Sequence, residues 1–343
     1  MLHPRDEHWH EPSSAKHWNE SFYFNAFDTE RRWACAVRVG ATPGIGERDG
    51  FVCLYLPDGT TAFIETAQPS SRGVDLIRSE SLDFVCVEPF GKWRVRFDGS
   101  VHHFRQPASP SNLERTRDTA TPTKRLALDL EVAPLHRAIR YDERSLQLRP
   151  LGDLTKNIRG HPWRSLRQTV RGVRMLPSMV GAHHYEQSTR VVGLMTFDGK
   201  TSTIEGYGQR DHSWGVRDMR VPKRWRWISC QFGDELCFNA VAVDVLLMRV
   251  QSGFVLRNGV VERIGRWSLD EHHQTHRFWP DQIRTTLTTE GGHLVELGAT
   301  ITDPLPVVAR TAMRNTIVTA ARARFEWGGR AADGMVECME QLW

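Results

Sequence analysis

The stretch Trp93-Arg94-Val95-Arg96-Phe97-Asp98-Gly99 alternates apolar and charged side chains. In an extended chain Trp93, Val95 and Phe97 fall on one face and Arg94 and Arg96 on the other. That period of two belongs to a half-buried β-strand, not to a helix with its period of 3.6. The same alternation recurs where Leu126, Leu128, Leu130 and Val132 interleave with Ala127, Asp129 and Glu131. Between such runs stand the pairs Asp58-Gly59, Asp98-Gly99, Asp198-Gly199, Asn258-Gly259 and Gly291-Gly292. Each suits a tight hairpin turn, whose backbone needs positive φ. Convincing helical runs are scarce. The expectation is an all-β protein of antiparallel barrels or sandwiches.

The 343 residues exceed the roughly 250–300 that one core serves. Two domains are expected, 1–160 and 161–343. The boundary falls in the run from Leu151 to Pro177, which carries Gly160, Pro162 and Pro177 around Arg159, Arg164, Arg167, Arg171 and Arg174. This run reads as an interdomain connector or as a cationic lid for an anionic group. Gln106 to Lys124, rich in Pro, Ser and Thr, reads as a long loop.

Composition narrows the function classes. Hydrophobic residues make up 40% and charged residues 25%, a globular balance that argues against global disorder. A net charge of +4 is too even to imply a nucleic-acid partner. The six cysteines show no CxxC spacing, so a zinc ribbon or thioredoxin-type site is disfavoured, and a chain of this size needs no disulfide staples. The N-terminus is polar, and no stretch of about 18 uncharged apolar residues occurs. A cytoplasmic setting without a transmembrane segment is expected, with at most transient membrane contact to collect an apolar substrate. Gly44-Ile45-Gly46 and Gly206-Tyr207-Gly208 lack the strand–turn–helix context of a dinucleotide site, and there is no GxSxG elbow or phosphate loop. No metal site or cofactor is indicated.

The densest polar-aromatic run is Gly206-Tyr207-Gly208-Gln209-Arg210-Asp211-His212-Ser213-Trp214-Gly215-Val216-Arg217-Asp218. As a strand it sets Arg210, His212 and Trp214 on one face and Asp211 and Ser213 on the other. Such groups are costly to bury without partners. Two readings stand: an acid/base His212 in an aromatic pocket, or a buried Arg–Asp network closing a barrel end. A second run, from His17 to Asp28, places Trp18, Glu20, Phe22 and Phe24 on one face and Asn19, Ser21, Tyr23 and Asn25 on the other. Glu20 is then a carboxylate among aromatics, where a raised pKa suits a general acid. In a third, His183-His184-Tyr185-Glu186-Gln187, His184 and Glu186 share a face. The candidate catalytic residues are His212, Asp211, Glu20 and Glu186. Trp214, Tyr23, Phe22, Phe24, Trp18, His184, Trp227 and Asn239 are the candidate substrate-binding residues. Arg210, Arg217 and Asp218 are expected to support them.

The string GYGQRDHSWGVRD resembles the RDHSWG signature of the AttH and carotenoid 1,2-hydratase (hydroxyneurosporene synthase) superfamily. WNESFYFNAFD resembles the opening strand of the same proteins, and fungal Diels-Alderases and tocopherol cyclase are more distantly similar. The resemblance implies two lipocalin-like barrels in tandem, a ligand pocket near their junction and hydrophobic isoprenoid or polyketide substrates without a cofactor. It also implies that His212 and Trp214 match a His and a Trp associated with alkene protonation and cation stabilisation. Near the hydratases' Tyr and Asp on a later strand this chain has Cys237-Phe238-Asn239-Ala240-Val241, with Asp244 beyond. Hydration, cyclisation and isomerisation share the first protonation, so all three outcomes stay open. A carrier built from the same barrels is the alternative, and it would need few polar groups in its pocket.

Overall fold

A computed structural model describes residues 2–69, 78–79, 81–105, 123–141, 146–150, 183–217, 221–245, 247–309 and 316–342. Among them are twenty strands, two short 3-10 turns and no α-helix. In chain order the strands are β1 (Trp18–Asp28), β2 (Trp33–Thr42), β3 (Glu47–Tyr55), β4 (Thr60–Pro69), β5 (Arg78–Ser79), β6 (Leu82–Glu88) and β7 (Lys92–Arg105). There follow β8 (Thr123–Pro134), β9 (Ile139–Arg140), β10 (Gln147–Pro150), β11 (His183–Phe197) and β12 (Lys200–Val216). The remainder are β13 (Arg224–Phe232), β14 (Leu236–Val245), β15 (Met248–Arg257), β16 (Val260–His272), β17 (Gln282–Thr289), β18 (Leu294–Ala309), β19 (Thr316–Trp327) and β20 (Arg330–Gln341).

These strands form two antiparallel sheets. The first runs β4-β3-β2-β1-β12-β11-β8-β7 and closes through β4–β7 pairing, giving an eight-stranded barrel with β6 and β5 continuing from β7. The second runs β15-β14-β13-β20-β19-β18-β17-β16 and closes through β15–β16, with β10 added beside β15. The architecture is the expected pair of lipocalin-like barrels. Its sheets do not follow the expected 160/161 division. β11 and β12, which carry the GYGQRDHSWGV run, complete the first barrel, whereas β10 joins the second. The reason is closure: β1 and β8 each need an antiparallel neighbour, and β12 and β11 supply them. The connector with its arginines and nearly all of the Gln106–Lys124 loop lie outside the described residues.

Period-two alternation fills each barrel. Phe22, Phe24, Trp33, Val95, Leu128 and Leu130 pack in the interior of the first, and Ile228, Phe238, Trp267, Leu287 and Phe325 in that of the second. Four of the five turn pairs are turns, as in Asp198-Gly199, with φ 50° and 78°. Asp98-Gly99 is not: β7 runs straight through it, Asp98 opposite Ala127 and Gly99 opposite Leu126. A Cβ at Gly99 would lie 2.7 Å from Phe97 Cζ, so the missing side chain makes room for an aromatic ring.

The outer faces of the barrels meet in a further apolar cluster that includes Tyr23, Tyr55, Phe63, Trp227, Leu305 and Met335. Polar contacts pin the junction. Tyr55 Oη donates to Ala320 O at 3.0 Å and Tyr141 Oη to Asn239 Oδ1 at 2.7 Å. Arg322, paired with Asp303, donates to Arg32 O at 2.6 Å.

Candidate functional site

β12 sits between β1 and β11, and register fixes what each of its side chains meets. His212 lies opposite Phe22 and Tyr185, and Asp211 opposite Tyr23 and Glu186. Paired residues in an antiparallel sheet point to the same side. One row therefore enters the first barrel and the other faces the second barrel.

On the inner side the chain's own N-terminal segment closes the barrel end. Glu7 is fully buried and its carboxylate gathers four donors. Arg210 Nη2 lies 2.8 Å away, Trp93 Nε1 2.7 Å and Phe90 N 2.9 Å, and Tyr185 Oη also donates to it. Burial pushes the Glu7 carboxyl up, but Arg210 and these hydrogen bonds outweigh it and hold the group below its ordinary value. Beside it His212 is fully buried, with Nδ1 2.8 Å from Asp6 O and Nε2 2.8 Å from Glu20 Oε1. His10 Nδ1 reaches the same Glu20 oxygen at 2.8 Å. Its ring stacks on Trp214 at 4.2 Å, and Phe22 stacks on His212 at 3.8 Å.

On the outer side the row is Arg38-Tyr23-Asp211-Glu186, read across β2, β1, β12 and β11. His184 stands next to it, Nε2 3.2 Å from Glu186 Oε1 and 3.7 Å from Asp211 Oδ2. Burial pulls the imidazole down, but Asp211 and Glu186 outweigh it and lift His184 to about 9. Glu186 is raised by burial, with His184 and Gln209 offsetting only part. The second barrel presents Trp227 with Val241 and Glu337 on either side, and Asn239 one row over. Trp227 meets Tyr23 edge-on at 5.4 Å. Burial is the main cause that raises Glu337 to about 7; Asp211 adds to it, while Trp225, Arg38 and Arg217 oppose it. Trp225 Nε1 donates to Glu337 Oε1 at 2.8 Å. Three buried polar atoms here make no hydrogen bond: Trp227 Nε1, Asn239 Nδ2 and His184 Nδ1.

The structure thus divides the expected site in two. His212, Glu20, Trp214, Phe22, Phe24, Trp18 and Arg210 share the interior of the first barrel. Asp211, Glu186, His184, Tyr23, Trp227, Asn239 and Arg217 share the junction. The strand faces were readable, and the expected carboxylate beside His212 is Glu20. Glu186 is on the opposite face, because it pairs with Asp211 and not with His212. Arg210 pairs with Glu7, a residue that the sequence did not single out, and Asp218 lies outside the described residues. Glu337 was missed as well. It lies between Met335 and Met339 on one face of β20, a weak signal that was present. The two described cavities lie elsewhere. A cleft of about 400 Å³ includes Arg224, His273 and Arg277, and a space of about 50 Å³ includes Arg226, Trp267 and Glu271. Among the described residues no helix is long and apolar enough to cross a membrane.

Residues 3–342 match the profile of a family described as a domain of unknown function, DUF7064. A search of curated proteins found no match. Among solved structures the chain is similar to an AttH protein of Nitrosomonas europaea, at 15% identity and a TM-score of 0.62, over 98% of this chain and 96% of that one. It is similar to kievitone hydratase of Nectria haematococca, at 8% identity and a TM-score of 0.57, over 93% and 87%. It is also similar to CghA, at 11% identity and a TM-score of 0.51, over 95% and 89%. At these identities the likeness concerns the fold.

Proposed function

Because the chain belongs to the DUF7064 family and shares its fold with a hydratase, we propose that it is an acid-initiated enzyme working between its two barrels. The substrate is a hydrophobic isoprenoid-like or polyketide-like small molecule, and the outcome is hydration, cyclisation or isomerisation. One observation carries this reading: a carboxyl raised to about 7, Glu337, stands beside Trp227, whose Nε1, like Asn239 Nδ2 one row over, is buried and makes no hydrogen bond within the protein.

A carboxylic acid of that pKa holds a proton near neutral pH and can give it up, as general acid catalysis requires. Glu337 donates the proton to an alkene carbon or a carbonyl oxygen. Positive charge then develops beside the faces of Tyr23 and Trp227, which favour it, and near Asp211 and Glu186, which offset charged His184. Trp227 Nε1 and Asn239 Nδ2 are donors suited to an oxygen of the substrate. In this proposal the proton donor moves from His212 to Glu337, since His212 is enclosed on the other side of β12. A carrier would need few such groups, so their density favours the enzyme.

The test begins with native mass spectrometry of the purified protein to identify a retained small molecule, followed by turnover of that molecule. Glu337→Gln should lower turnover by roughly 10²–10⁴-fold with binding intact. Full activity in that variant would remove Glu337 from the role, and binding without turnover by the wild type would favour the carrier.

A further inference from the structure

We propose that His10, Glu20 and His212 form a binding site for one divalent transition-metal ion of the zinc type, on the inner side of β12 and separate from the junction. The three ligand atoms all lie within 4.8 Å of one another. Two imidazole nitrogens and one carboxylate oxygen are a donor set that zinc and its first-row neighbours accept.

The outer nitrogens support the assignment. His212 Nδ1 lies 2.8 Å from the backbone oxygen of Asp6, which only accepts, so this nitrogen carries the hydrogen. Nε2 then points at Glu20 Oε1, 2.8 Å away. His10 repeats the arrangement: Nε2 lies 3.5 Å from the Asp6 carboxylate, and Nδ1 lies 2.8 Å from the same Glu20 oxygen. Metal-bound histidines are held this way, with the far nitrogen on a carbonyl or carboxylate. Here one residue, Asp6, orients both rings.

Proton accounting points the same way. His10 Nδ1 and His212 Nε2 each meet the same Glu20 oxygen at 2.8 Å, hydrogen-bond contacts whose protons a divalent ion would replace. A bound ion takes the place of both protons, which leave for solvent as it binds. The other compact group, His184 with Glu186 and Asp211, lacks this support: it offers one imidazole, whose Nδ1 has no acceptor. His10 is partly open, so the ion enters from the rim and ties the segment around residues 6–10 to β1 and β12.

The test uses the full chain, stripped with chelator and titrated with Zn²⁺ alone by calorimetry in buffers of different ionisation enthalpy. One tight equivalent is expected, with proton release. His10→Ala, at a partly exposed position that leaves the core intact, should abolish that equivalent. Asp6→Asn keeps the backbone oxygen for His212 and should weaken binding roughly 10–100-fold. Thermal unfolding of the metal-free variants should still be cooperative, with a lower midpoint for His10→Ala because it loses the hydrogen bond to Glu20 and the stack on Trp214. Absence of a stoichiometric site in the wild type overturns the proposal, as does wild-type binding by His10→Ala, which would assign the ion to other histidines among the 15 in the chain.

Discussion

The two faces of β12 carry similar residue types and put them to different ends. Inside the first barrel Arg210 and His212 meet partners supplied by the N-terminal segment: Glu7 takes the guanidinium, and Asp6 and His10 complete the surroundings of His212 and Glu20. Across the junction Asp211, Glu186 and His184 crowd together while Asn239 Nδ2 and Trp227 Nε1 stay unpartnered. Buried polar groups cost stability unless satisfied. A largely satisfied cluster therefore reads as a closure, and an unsatisfied one as a surface waiting for a ligand.

The sharpest way to break this contrast is to unpair the closure. Glu7→Ala leaves Arg210 buried without its carboxylate and should cost roughly 3–5 kcal/mol in denaturant unfolding. A loss below about 1 kcal/mol would show that the inner cluster does not hold the barrel end.

The junction should respond to pH instead. Glu337 is raised from 4.5 to about 7, so the folded state holds a proton that the unfolded chain releases earlier. That stability is present below about pH 4.5 and is lost as pH rises to 7. His184, raised from 6.5 to about 9, extends the same downward trend to pH 9. Glu337→Gln should flatten the lower part of the profile of midpoint against pH, and an unchanged slope between pH 5 and 7 would contradict the assignment. Asp211→Asn removes a main support of the His184 charge, so the alkaline limb should shift to lower pH. An unmoved limb would mean that Glu186 alone sets His184. The smallest effect belongs to Trp227→Phe. Its Nε1 has no partner to lose, so stability should change by less than about 1 kcal/mol. Affinity for the retained small molecule should fall, and equal binding would remove Trp227 from the site.

Much of this was legible in the sequence. Alternation identified the strands, and it sorted Arg210, His212 and Trp214 from Asp211 and Ser213 without coordinates. The register that joins β1 to β12 was not legible, because Phe22 and His212 lie 190 positions apart and no local signal ties them. Glu7 and His10 sit in a polar segment without periodicity, so nothing marked Glu7 as buried or His10 as a neighbour of Glu20. Glu337 lies on the outside of a barrel, which ordinarily faces water; only docking of the first barrel covers it in part. Asp98-Gly99 misled because the same dipeptide serves a turn or a crowded strand, and Phe97 decides which.

Closure of the first barrel by β11 and β12 also bears on how the protein is made. At roughly 5–20 residues per second a ribosome needs on the order of 10–40 s to reach residue 216. Until then β1 has β2 beside it and an open edge on its other side, with Phe22 and Phe24 lacking much of their enclosure. The nascent chain must carry this unfinished sheet past the synthesis of β10, a strand of the other barrel, before it can close. A chaperone that shields exposed strand edges would act in that interval, and slow synthesis between residues 150 and 216 would lengthen the time the edge is open to aggregation.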